Sequence, residues 1–169
     1  MQEISQHTTL TVCCFLSTDL ARARTAENNL SGEIPSEIQE FTELETLDVY
    51  DNELVGMFPD SMIELESLTM LDAEDNQLSG NPFTVLKNLR MLRNIRISNN
   101  LFVGELNDDS IENLEDLREL WIGGNRFQGE LPGTIGNLKE LGTFVARGFL
   151  ALVVHGYGFL NVDSLAVFL

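Results

Sequence analysis

The side chains of this sequence that could do chemistry are mostly carboxylates. The 169 residues include 27 acids, 10 Lys or Arg and 2 histidines, which gives a formal net charge of −17. Paired carboxylates act as general acid and base only where an enclosed site separates their pKa values. His7 and His155 lie in opposite end segments, so neither a histidine-assisted nucleophile nor a metal cluster is indicated. The sequence therefore predicts a protein that is not an enzyme and that needs no cofactor and no metal.

The negative charge is concentrated in one half of the chain. Residues 26–86 contain 15 Asp or Glu and no Lys or Arg. A surface of this sign disfavours nucleic acid and anionic lipid as partners. We therefore expect no nucleic-acid partner, and we expect any charged protein or peptide partner to be basic. The acids could also serve only to keep the protein soluble.

A short phrase, Asn-x-apolar-x-Gly-x-apolar, recurs about every two dozen residues. It begins with NNLSGEIPSEI at residue 28 and returns at spacings of 24, 24, 24 and 25 residues. Leucine-rich segments run ahead of each asparagine. A fixed period of this size indicates a solenoid, in which each coil buries its apolar face against its neighbours. The repeated asparagines form a structural ladder: Asn28, Asn52, Asn76, Asn100 and Asn125.

Each repeated column has a physical role. The apolar-x-apolar pair before each asparagine alternates with period two, which predicts a short strand with both apolar side chains inward. The asparagine amide, which has donors and an acceptor, can satisfy backbone groups that the following bend leaves unpaired. The glycine four residues later permits a tight backbone turn.

These motifs resemble the leucine-rich repeat family, specifically its plant-type subclass, whose consensus is LxxLxxLxLxxNxLxGxIPxxI. The match covers about seven tenths of the chain. The resemblance implies an α/β fold: a leucine-rich repeat solenoid (horseshoe) with a parallel concave β-sheet and a convex side of 3-10 helices and loops. Pro82 stands one place early and Asn107 replaces a proline, so we expect local irregularity on the convex side there.

The pattern divides the chain into three parts. Residues 1–25 are an N-terminal segment, either a cap strand or a targeting signal, although no Lys or Arg precedes the apolar run at 10–16. Residues 26–146 form the solenoid of about five repeats. Residues 147–169 are a hydrophobic, off-register C-terminal tail. The tail could be a cap, a membrane span (residues 149–169), or an end that does not descend from the repeat.

The outward positions of the predicted strands are free of core constraints, so their residue types are informative. Aromatic and arginine side chains are enriched where proteins bind partners. We predict that a protein or peptide binds there, on the concave face; the alternative is a structural or truncated repeat fragment without a specific ligand. The candidate partner-binding residues are Asp48, Tyr50, Asp72, Glu74, Arg96 and Trp121.

The family resemblance also bears on compartment and assembly. Members of the family that the chain resembles are receptor ectodomains or secreted proteins, which favours the cell surface or secretion, and we expect a monomer. Asn29-Leu30-Ser31 is a glycosylation acceptor pattern that would matter only in a secreted protein. The adjacent Cys13 and Cys14 cannot form a spaced disulfide framework.

Overall fold

The computed structural model describes residues 22–24, 29–147 and 166–168. Within these ranges the chain winds through successive coils, each with a strand on either side of its ladder asparagine. The possible signal at residues 1–21, Asn28 and most of the C-terminal tail lie outside the described residues.

One strand from each coil enters a seven-stranded sheet whose paired strands are all parallel. Its order is β1-β3-β5-β7-β9-β11-β12. The last strand belongs to the C-terminal tail and pairs with its neighbour 23 residues earlier, Thr143 with Ala166. The bounds are Arg22–Arg24 (β1), Thr46–Asp48 (β3), Met70–Asp72 (β5), Asn94–Arg96 (β7), Glu119–Trp121 (β9), Thr143–Val145 (β11) and Ala166–Phe168 (β12).

A second, five-stranded parallel sheet follows the asparagines, and the sequence did not predict it. Its order is β10-β8-β6-β4-β2. Apolar residues two places after the asparagines, such as Leu54 and Phe102, point inward and are buried, while their strand neighbours are exposed. The bounds are Ser31–Glu33 (β2), Glu53–Gly56 (β4), Gln77–Gly80 (β6), Leu101–Glu105 (β8) and Arg126–Gln128 (β10).

Short helices connect the second sheet back to the first. Where a proline stands at the expected place, it directly precedes a 3-10 helix: Ser36–Glu40 (η1), Asp60–Glu64 (η2) and Gly133–Asn137 (η3). The two coils that depart from the pattern have one α-helical turn instead, Phe83–Leu86 (α1) and Asp108–Ile111 (α2). Asn107 caps the second by accepting the Ser110 N–H at 3.0 Å. The predicted solenoid fold is confirmed, including its local irregularity on the convex side.

The leucine-rich segments fill one continuous core between the two sheets and the short helices. Leu44, Leu68, Leu92 and Leu117 occupy the same place in successive coils and are fully buried. Phenylalanines pack beneath the second sheet; the ring centroids of Phe58 and Phe102 lie 5.2 Å apart. Each coil therefore buries its apolar face only against its neighbours.

The asparagine side chains join each coil to the preceding one. Asn76 Oδ1 accepts the Leu54 N–H at 2.9 Å, while its Nδ2 donates to the Val49 carbonyl at 3.0 Å and to the Glu74 carbonyl at 3.0 Å. Leu54 and Val49 belong to the coil before. The amide of each ladder residue described thus bonds to backbone groups that no strand partner reaches: Asn52, Asn76, Asn100 and Asn125.

Replacing Asn76 should therefore weaken the whole solenoid. In Asn76→Leu the buried Leu54 N–H loses its partner, and the Val49 and Glu74 carbonyls each lose one of two donors, so the free energy of unfolding should fall by about 1–3 kcal/mol. Urea denaturation followed by circular dichroism measures this.

The matched control is Asn29→Leu, because Asn29 is exposed and stands outside the ladder column. It should change the free energy of unfolding by less than about 0.5 kcal/mol. Equal losses at the two positions would contradict the structural role of the ladder.

Candidate functional site

The outward positions of the seven-stranded sheet bring four of the candidate residues into one row. Asp48, Asp72, Arg96 and Trp121 are successive paired positions of β3, β5, β7 and β9. Each directly follows a buried apolar residue of its strand, so the pleat turns its side chain to the opposite face. Adjacent side chains in such a row are separated by about 5 Å, close enough to interact.

Arg96 is the centre of an ionic cluster in this row. Its Nη2 lies 2.7 Å from Glu119 Oε2 and its Nε 3.1 Å from the same oxygen. Its Nη1 lies 3.7 Å from Asp72 Oδ2, and its Cζ stands 5.0 Å from the centroid of the Trp121 ring. A guanidinium held by two carboxylates and an aromatic face is largely satisfied within the protein. Arg96 therefore positions its neighbours more than it offers a free charge to a ligand.

Asp72 is less accessible than its place in the row suggests. The residue is 7% exposed, and its Oδ1 accepts the Glu74 N–H at 3.3 Å. Burial raises the pKa of the Asp72 carboxyl, and the nearby Asp48 carboxylate adds to the rise. Burial likewise raises the pKa of Glu74, with a contribution from the Asp72 charge. The charged forms of these two carboxylates are therefore destabilised in the folded protein.

The more accessible acids lie at the turn that follows the strands. Asp51 and Asp75 are exposed and adopt the left-handed backbone conformation, each with a φ of 53°. Asn99 continues the column with a φ of 55°, and its Nδ2 donates to Asp75 Oδ1 at 2.8 Å. Tyr50 is half-buried one residue before Asp51. The first coils therefore present a continuous acidic edge beside an aromatic side chain.

Glu119 is the residue that the sequence reasoning missed. It lies two places before Trp121 in β9, so the period-two alternation puts it on the same outward face. That alternation was a usable signal. Only the pairing of neighbouring strands shows that Glu119 is the closest partner of Arg96, because the two residues are 23 positions apart in the sequence.

The described residues contain neither a metal-binding cluster nor a membrane-spanning helix. Within residues 22–24, 29–147 and 166–168, no group of three or more His, Cys, Asp or Glu could hold a metal ion. In the same ranges, no helix has the length and apolar character needed to cross a membrane.

The indole N–H of Trp121 is shielded and has no hydrogen-bond partner among the described residues. Contact with Arg96, and not a hydrogen bond, therefore orients the Trp121 ring.

Known proteins resemble the chain in both repeat sequence and fold. The family described as Leucine Rich Repeat matches residues 116–138. The ectodomain of the receptor kinase SOBIR1 from Arabidopsis thaliana is 29% identical, with a TM-score of 0.72 over 77% of this chain and 70% of that one. A TDR receptor is 28% identical, with a TM-score of 0.75 over 85% of this chain and 25% of that one.

A third similar structure contains a bound partner. The ectodomain of the receptor kinase GASSHO1/SCHENGEN3 from Arabidopsis thaliana, in complex with CASPARIAN STRIP INTEGRITY FACTOR 2, is 31% identical, with a TM-score of 0.68 over 74% of this chain. The chain spans 15% of the length of that protein. No curated protein has a matching sequence.

The raised pKa of Asp72 makes its effect on stability depend on pH. Below the pKa of the unfolded state, near 3.8, a carboxyl whose pKa is raised on folding contributes fully to the stability of the protein. As the pH rises through the pKa of the folded state, this contribution is lost. Asp72→Asn removes that loss and can still accept the Glu74 N–H. The variant should therefore gain unfolding free energy relative to wild type as the pH rises through this window. Urea denaturation at several pH values measures the difference.

Asp48→Asn is the matched control for this prediction. The Asp48 carboxylate accepts the Tyr50 N–H at 3.4 Å, in the same geometry, but the residue is only half-buried. Its substitution removes one charge from the same row but no buried carboxylate, so it controls for the loss of charge alone. A pH-independent difference for Asp72→Asn would show that burial does not strain this carboxylate.

Proposed function

Since the chain is a leucine-rich repeat protein with plant-type repeats, we propose that it is a non-catalytic recognition module that binds a protein or peptide on the outward face of its seven-stranded sheet. The similar ectodomain of GASSHO1/SCHENGEN3 is in complex with CASPARIAN STRIP INTEGRITY FACTOR 2, which supports a ligand-binding role. The ligand of this chain is a basic segment, and the chain acts as a monomer that binds neither nucleic acid nor a cofactor.

The acidic edge of the first coils is the observation that carries this proposal. Asp48, Asp51 and Asp75 lie on or beside β3 and β5, with Glu74 half-buried between them. No residue from 29 to 86 is Lys or Arg, so within these coils no base neutralises them; Arg24, on the adjoining strand, is at the position paired with Asp48. Like charges on adjacent strands repel one another, which costs stability. A bound Lys or Arg would relieve that repulsion.

The Arg96 cluster sets the far boundary of the proposed site. Arg96 and Glu119 neutralise each other, while the Trp121 ring is held in place by the guanidinium. A preorganised aromatic side chain loses little entropy when a ligand packs against it. A basic segment would thus lie along the acidic edge and place an apolar side chain near Trp121.

Removing charge from the acidic edge should slow association. For Lys- and Arg-rich peptides binding the full chain, the double variant Asp48→Asn, Asp75→Asn should lower the association rate about fivefold at low salt, because long-range attraction steers the encounter. The wild-type rate should also fall as salt rises. Stopped-flow fluorescence of Trp121, the single tryptophan, measures both rates.

The control removes the same charge from the convex side. Glu40 and Glu64 are exposed at the ends of η1 and η2, and Glu40→Gln with Glu64→Gln should leave the rate nearly unchanged. Equal slowing by the two double variants would place the effect in the net charge and refute a localised site. Failure of every basic peptide to bind would favour a repeat fragment without a specific ligand.

Trp121 should act on dissociation instead. Trp121→Ala removes the apolar anchor, so the dissociation rate of the same peptides should rise and the binding free energy should weaken by about 1–3 kcal/mol. Biolayer interferometry measures this without relying on tryptophan emission. Trp121→Phe keeps an aromatic ring beside Arg96 and should lose less binding free energy than Trp121→Ala. An unchanged dissociation rate in Trp121→Ala would show that Trp121 is not an anchor for the peptide.

A further inference from the structure

The second sheet carries an apolar stripe on its outer face. Among the described residues, six large apolar side chains are exposed, and four of them lie on or directly after β4 and β8. The exposed fractions are 37% for Val55, 63% for Met57, 37% for Leu101 and 43% for Val103. Clustering of this kind on one face marks an interaction surface more often than scattered apolar residues do.

The register of β4, β6 and β8 brings these side chains together. Val55 pairs with Gln77 and Ser79 pairs with Leu101, so Met57, two places after Val55, stands opposite Ser79. Met57 and Leu101 are then two strand spacings apart, about 10 Å. Ser79 lies between them, half-buried, with its hydroxyl donating to the Gly56 carbonyl at 3.1 Å. The small Ser79 side chain keeps the surface low between Met57 and Leu101, while the exposed Gln77 and Asn81 flank it with polar groups.

The absence of a side chain at Gly80 allows Met57 to lie across this surface. Gly80 has a φ of 75°, and a Cβ at that position would lie 2.6 Å from the Met57 sulfur. The Met57 side chain therefore lies across the glycine, where any larger residue would displace it. Its thioether presents a flat, adaptable apolar contact area.

An acid-lined groove of about 750 Å³ adjoins the stripe where the first two described coils meet. Its apolar lining comes from residues such as Pro35, Val55, Met57 and Pro59. The charged residues that line it are all acids: Glu33, Glu37 and Asp60. Because these coils contain no Lys or Arg from residue 29 to residue 86, the groove keeps its negative potential.

We propose that this stripe and groove, hereafter the lateral surface, form a second docking site for a protein segment that alternates apolar side chains with Lys or Arg. The apolar side chains would cover Val55, Met57, Leu101 and Val103, while the basic ones would meet the acids of the groove. A second copy of this chain fits poorly, because its net charge of −17 would bring acids against acids. The lateral surface belongs to a different sheet from Trp121, so both sites can be occupied at once.

Methionine methyl groups provide a direct test. The probe is an eight-residue peptide of alternating leucine and lysine, added to the full chain carrying ¹³C-methyl methionine. The methyl resonance of Met57 should shift when the peptide binds. The methyl resonance of Met91, which is 46% exposed in the turn before β7, should not shift. Because the same basic peptide can also bind at the acidic edge, Trp121 emission reports that site separately, and the Met57 shift should persist in Trp121→Ala. Equal shifts of the Met91 and Met57 methyl resonances would overturn the proposal. A change in Trp121 emission with no shift of the Met57 resonance would also overturn it.

Variants and altered peptides sharpen the result. Met57→Gln with Val103→Thr should weaken binding of the peptide about tenfold, as expected for central apolar contacts, while Met91→Gln should leave it unchanged. A peptide with glutamate in place of lysine should not bind. Equal binding of the glutamate peptide would overturn the charge argument, and a Met57 shift that depends on protein concentration without peptide would assign the surface to self-association.

Discussion

Hydrogen bonding by the ladder asparagines is the constraint on which the rest of the structure depends. A bend between two sheets leaves backbone N–H and carbonyl groups facing the core, where water cannot reach them. The amides of Asn76, Asn100 and Asn125 each accept from one coil and donate to carbonyls of two; for Asn100 the distances are 2.8–3.3 Å. The coils are therefore locked in register as well as stacked, and every other column of the repeat inherits that register.

A fixed register turns the outward positions into rows of neighbouring side chains. Residues 24 or 25 positions apart in sequence come to lie about 5 Å apart, so their charges interact strongly. In one half of the row Asp48 and Asp72 are neighbours, and the bases at the adjoining paired positions are Arg24 and Arg96. In the other half Arg96 is neutralised by Glu119 and Asp72 and stacks on Trp121. One face thus combines the exposed acids of the first coils with a rigid aromatic boundary, which is the physical basis of the proposed recognition of a basic ligand there.

The same register produces a second surface by a different route. Glycine at the fourth place after the ladder column allows the long side chain of the previous coil to lie flat, as Glu33 does over Gly56 and Met57 over Gly80. This arrangement exposes apolar area that no described residue covers. Two sheets that meet at one ladder therefore give two surfaces, one acidic with an aromatic boundary and one apolar beside an acidic groove.

The sequence by itself determined the period, the ladder, the inward columns and the row that contains Asp48, Asp72, Arg96 and Trp121, because each follows from spacing and from the period-two alternation of strands. It also located the convex irregularities at Pro82 and Asn107. Only the tertiary structure decided that Asp72 is buried, that Glu119 is the closest partner of Arg96, and that the segments after the asparagines form a second sheet. These outcomes depend on which side chains and backbone groups of different coils come within bonding distance, and the sequence pattern of a single coil does not contain that information.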